Sequence, residues 1–150
     1  MNPLNPFEQQ ILEAFMKGNQ PELAVLRKQI TKLQVRNRTH TGIGCFVDFQ
    51  LPAAVARVTP LEMAFGDVNV EVEGVTAPVS TLLYIIGGAI HFMEIAVDEG
   101  EWPKEPVLTR LNYLKSIQVA DGIDFVPTDE RDPAALAHAL AGRKGQKQPG

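Results

Sequence analysis

The chain holds a single cysteine, Cys45, so it can close no internal disulfide and build no zinc site on paired thiolates. It lacks a basic excess. With 14 Lys+Arg against 18 Asp+Glu the formal net charge is -4, which argues against a dedicated nucleic-acid binder, because phosphate affinity rests on clustered lysine and arginine. It lacks a long apolar run. Leu82–Ile86 and Ala89–Ile90 lie on either side of Gly87-Gly88 and fall far short of the ~20 residues that span a bilayer. The opening Met-Asn-Pro-Leu-Asn-Pro-Phe has neither the basic nor the apolar region of a secretory signal, so the expected location is cytoplasmic, without membrane contact. No Ser-His-Asp order, phosphate loop, dinucleotide fingerprint or internal repeat is present.

What is present is enough for one folded domain. The 150 residues are 45% apolar, and a chain of this length buries roughly 68–70% of the surface its unfolded form exposes. The expected domain spans residues 1–142, followed by a disordered tail over 143–150. Charge is unevenly spread. Residues 1–50 carry six basic and four acidic groups, residues 51–100 carry one basic group, Arg57, and seven acidic ones, and residues 101–150 carry seven of each. The acidic middle repels anions and attracts cations or basic partners, or is simply a solvated sheet face.

Phe7, Ile11 and Phe15 recur at helical spacing, with Gly18 as a stop. Asn19 is placed to cap a second helix, with Pro21 in its first turn and Leu23, Leu26, Ile30 and Leu33 as one stripe. The pair can form a helical hairpin, or its stripe can meet a second copy of the chain. Arg36, Arg38 and His40 then make a basic link that could touch an anion. From Ile43 the period becomes two, with Cys45, Val47, Phe49 and Leu51 on one face; Cys45 reads as a small core residue. Thr41-Gly42-Ile43-Gly44 suits a tight backbone approach better than a phosphate cradle. Gly66-Asp67 interrupts a strand pattern from Leu61 to Val72.

Gly87-Gly88 between two strand-forming runs predicts a two-residue hairpin. Uninterrupted pairing then sets Tyr84 against His91, Leu82 against Met93, and Thr81 against Glu94, with both faces mostly dry. Residues 107–119 suit a helix or a strand, and the pattern leans to a strand. Asp132-Pro133 starts a short helix over Ala134–Ala141. The fold class is α+β: an antiparallel β-sheet of four to five strands packed against an N-terminal helical hairpin, with a short C-terminal helix.

Thr41-Gly42-Ile43-Gly44, Gly66-Asp67, Met93-Glu94 and Trp102-Pro103 resemble the strand starts and closing segment of a group of small bacterial proteins of uncharacterised function. The likeness covers about Leu26–Pro103 and departs after Glu94, where Ile95, Ala96 and Val97 replace an expected Gly and Tyr. It implies a bacterial origin and supplies no activity.

Candidate site residues are few. Glu94 falls on an otherwise apolar strand face, where a carboxylate must be paired, hydrogen-bonded or protonated. It is either a general acid/base or ligand anchor, or a structural acceptor for amides of the loop that carries Trp102-Pro103. Tyr84 and His91 face each other in the same hairpin. Trp102 is either a loop anchor for a ligand or a lid over one end of the sheet. His138 is expected in solvent. His91 and Glu94 point to opposite faces of a regular strand, and the loop around Glu99 and Glu101 lacks calcium-loop spacing, so no metal and no cofactor is expected. The expected function is a non-enzymatic binding or protein-interaction module. Its partner would be a second copy, through the N-terminal helices or the sheet, or an unknown protein or small molecule. The alternative is a small-molecule-binding protein or enzyme with a pocket between sheet and helices, using Glu94 with Tyr84 or His91.

Overall fold

The structure, a computed structural model, describes residues 2–142; the tail expected over 143–150 lies outside them. Two helices open the chain. Helix α1 spans Pro6–Phe15 and starts on a capping box: the Asn5 side chain accepts from the Glu8 amide at 2.8 Å, and Glu8 accepts from the Asn5 amide at 2.9 Å. Helix α2 spans Pro21–Ile30 and begins at Gln20, with no side-chain cap. Asn19, the expected cap, is one residue too early, because Pro21 already occupies the first helical position. The apolar stripes of both helices are spent inside the fold: Ile11, Leu12, Phe15, Met16, Leu23 and Leu26 are fully buried.

The eight strands are β1 Gln34–His40, β2 Gly44–Gln50, β3 Met63–Phe65, β4 Val68–Val72, β5 Val79–Ile86, β6 Ala89–Val97, β7 Leu108–Val119 and β8 Gly122–Thr128. A five-stranded antiparallel sheet runs β1-β2-β6-β5-β3, and a three-stranded one runs β4-β7-β8. Helix α3, Pro133–Ala141, packs on β3, with the Asp132 side chain accepting from the Ala134 amide at 3.0 Å. The architecture is the expected α+β arrangement, and residues 107–119 form a strand. Two strands were hidden in the sequence. The stretch read as a basic link is β1, a sheet edge with only Val35 buried. Polar, charged residues are what an edge strand carries, and they erase the alternation that would announce it. Strand β8 is the edge of the second sheet and is exposed over most of its length, Ile123 and Phe125 included, so no buried face marks it in the sequence.

Gly66-Asp67 is where one strand pattern passes from sheet to sheet. Residues before it pair with β5, and residues after it pair with β7. The seam is held by the Thr81 hydroxyl, which donates to the Val68 carbonyl at 2.7 Å.

The Gly87-Gly88 turn has positive φ at both residues, +64° and +75°, and sets the first pairs as expected: Ile86 with Ala89 and Ile85 with Ile90. The register then shifts by one. Tyr84 pairs with Phe92, Leu83 with Met93, Leu82 with Glu94 and Thr81 with Ile95, leaving His91 as an inserted bulge residue. The expected pairs Tyr84–His91, Leu82–Met93 and Thr81–Glu94 are therefore corrected. The physical reason is sorting. One extra residue exchanges the two faces of a strand beyond it. With the bulge, Ile90, Met93, Ile95 and Val97 are all buried, beside Val79, Leu83 and Ile85, while Glu94 moves to the other face.

Three polar clamps fix the helical side. Gln29, fully buried on α2, donates to the Gly88 and Ala56 carbonyls at 2.8 and 3.0 Å and accepts from the Ile90 amide at 2.9 Å. Arg131 forms a bidentate pair with Asp67 at 2.8 and 3.0 Å, and donates to the Phe15 carbonyl at the end of α1 and the Lys17 carbonyl just past it. Arg38 forms a second bidentate pair with Glu8 at 2.7 and 2.8 Å. That pair removes Arg38 from the basic spot expected with Arg36 and His40.

Candidate binding face

The five-stranded sheet has a face turned away from the helices. Its side chains follow from the corrected register. In one row Thr39, Phe46, Glu94 and Leu82 stand opposite one another across β1, β2, β6 and β5. In the next row stand Asn37, Asp48, Phe92, Tyr84 and Ala64. Phe46, Asp48, Leu82, Tyr84, Phe92 and Glu94 are each half-buried. Directly opposed residues on one face of an antiparallel pair are neighbours, so Phe46, Asp48, Phe92 and Glu94 form a square, with rings on one diagonal and carboxylates on the other.

The rings are in contact order. Tyr84 and Phe92 stack with centroids 4.4 Å apart and planes 21° from parallel. Phe46 lies 6.5 Å from Phe92, and exposed His91 presents its ring edge-on to Phe92 at 6.0 Å. Such offset arrangements are the favoured ones for aromatic pairs. Among the described residues neither Asp48 nor Glu94 makes a side-chain hydrogen bond or an ion pair. The loop amides expected to bond Glu94 go elsewhere: the Trp102 amide donates to the Gly42 carbonyl at 2.9 Å.

The candidate residues thus divide. The fold brings Tyr84, His91 and Glu94 to one face, with Phe46, Asp48 and Phe92, which sequence reasoning had not singled out. Their signal was the register alone. Trp102 is not among them. It is 4% exposed and tilts against Phe7 of α1 at 6.1 Å, closing one end of the helical side. A pocket between sheet and helices lined by Glu94 with Tyr84 or His91 is corrected by the same geometry: these side chains stand on the face away from the helices, and the interface between is filled by buried apolar residues.

The rest of the chemistry is structural. Cys45, on the helical side of β2, has its thiol pushed up by burial, which suits a core residue rather than a nucleophile. A Cβ on Gly44 would sit 2.1 Å from the Ile95 carbonyl oxygen, so the Gly-x-Gly is the close backbone approach expected. His138 is exposed, at the rim of a cleft of about 370 Å³ between α3 and the β7–β8 arm, walled by Leu114, Phe125 and the alanines of α3. No group of three or more His, Cys, Asp or Glu able to hold a metal occurs among the described residues. No helix among them is long and apolar enough to cross a membrane. Comparison with known proteins leaves the residues to speak for themselves: no family model, curated protein or solved structure matches the chain.

Proposed function

We propose that the protein is a cytoplasmic, non-enzymatic binding module that meets its partner with the open face of the five-stranded sheet. The observation that carries this reading is the contiguous Phe46–Phe92–Tyr84 group on central strands, opposite a face that is buried in the core. Half-buried aromatic residues in a contiguous patch are what interaction surfaces concentrate. The helical stripes are already buried in the chain's own core and offer no apolar surface to a partner.

The test compares the wild type with Phe92→Ser/Tyr84→Ser, after thermal unfolding shows that both fold. Proteins captured from the cell of origin are identified for each. Partners captured by the wild type and lost by the variant support the reading. Identical capture by both removes the face from the function.

A further inference from the structure

We propose that the occupant of this face is an arginine-bearing segment of a partner protein, whose guanidinium lies over the Phe92–Tyr84 stack and pairs with Asp48 and Glu94. This rests on the reading of the open sheet face as the binding surface and adds the chemistry of what it binds. Residues 58–103 contain no lysine or arginine, so β3, β5 and β6 present no strong cation, and β2 has none either. Edge strand β1 carries two arginines. Arg38 is held by Glu8, and exposed Arg36 lies at the bulge next to Val35 and makes no ion pair among the described residues. His91 is the remaining basic side chain on the central strands. The face therefore holds two half-buried carboxylates that make no ion pair among the described residues.

A carboxylate on a half-dry surface has lost part of its hydration, and pairing with a hydrogen-bonding cation offsets that loss. A bare acidic patch would accept any cation. Here the carboxylates alternate with ring faces, which attract a cation through the aromatic quadrupole. A planar guanidinium satisfies both at once, stacking on a ring while its edge donates to a carboxylate; a compact ammonium does only one of these well. The charge complementarity favours a basic partner over a second copy of this acidic chain, whose like face would oppose carboxylate to carboxylate.

The probe is a short glycine–serine peptide carrying a pair of arginines, compared with its citrulline version, a neutral isostere, and its lysine version. Binding to the full chain is followed by calorimetry and by NMR shifts of the Phe46, Tyr84 and Phe92 rings. Arginine peptide binding is expected to move those ring signals, to weaken about tenfold or more with citrulline, and to fall as salt rises. Asp48→Asn/Glu94→Gln should cost at least as much as citrulline and flatten the salt dependence, while leaving thermal unfolding unchanged. Equal binding of arginine and citrulline peptides with shifts at these rings overturns the guanidinium while keeping the face. Shifts confined to other surfaces, or no binding of the arginine peptide, overturn the proposal. So does a wild-type dimer in light scattering that Phe92→Ser dissociates, since the occupant is then a second copy.

Discussion

The two faces of the five-stranded sheet are made from the same strands and do opposite things. The helical face is dry and closed: Leu83, Ile85, Ile90, Met93 and Ile95 are at most 1% exposed, and the polar groups beside them are satisfied by Gln29. The other face mixes rings with carboxylates at intermediate exposure. Stability belongs to the first face, and the proposed recognition to the second. A single inserted residue, His91, sends β6 side chains to the correct side of that division.

Substitutions on the two faces should therefore differ in kind. The largest loss is expected from Arg131→Gln, which leaves Asp67 buried without its partner and frees the carbonyls at and just past the end of α1; removing one half of a buried pair costs about 3–5 kcal/mol, read by chemical denaturation. Leu83→Ala, at a fully buried position, should cost about 2–5 kcal/mol through lost burial and a residual cavity. Gln29→Leu keeps the volume but orphans the Ile90 amide and the Ala56 carbonyl, and about 1–3 kcal/mol should disappear.

A smaller effect has a pH signature. The Tyr113 hydroxyl donates to the Ala14 carbonyl at 2.6 Å, and burial raises its pKa, opposed by nearby Arg131. The folded protein thus holds this proton more tightly than the unfolded chain does. Its contribution is complete below the unfolded tyrosine value of about 10 and is lost as pH rises through the folded value. Tyr113→Phe should cost about 0.5–1.5 kcal/mol at neutral pH and shallow the alkaline limb of the stability profile. An unchanged limb would assign that limb to other groups.

The smallest effect sharpens the contrast most. Glu94→Gln should leave stability within about 0.5 kcal/mol of wild type, because the carboxylate makes no hydrogen bond among the described residues. A loss comparable to Gln29→Leu would place Glu94 among the structural groups and erase the distinction between the faces.

Much of this was legible before any coordinates. The 3-4-3 spacing from Leu23 to Leu33 marks α2, and it is buried as a stripe. Gly87-Gly88 marks the hairpin turn, and Cys45 reads as core. Strands β1 and β8 were not legible, since an exposed edge has no dry side to impose alternation. The site was half legible. Tyr84, His91 and Glu94 stand out as residues, but extending the turn's register without the bulge sends Glu94 to the opposite face and hides Phe46, Asp48 and Phe92 as its neighbours.

By itself the sequence determined what is local: which N-terminal segments are helical, the positive-φ turn, the lack of any internal disulfide, and a central segment free of lysine and arginine. These follow from chirality, capping, turn chemistry and composition, which act within a few residues. Tertiary structure decided what is shared between distant segments: the bulge at His91, the pairing of β1 with β2, the passage at Gly66-Asp67, and the Arg131–Asp67 clamp. Each of these is chosen by how much apolar surface the whole sheet can bury against the helices, and no window along the chain contains that sum.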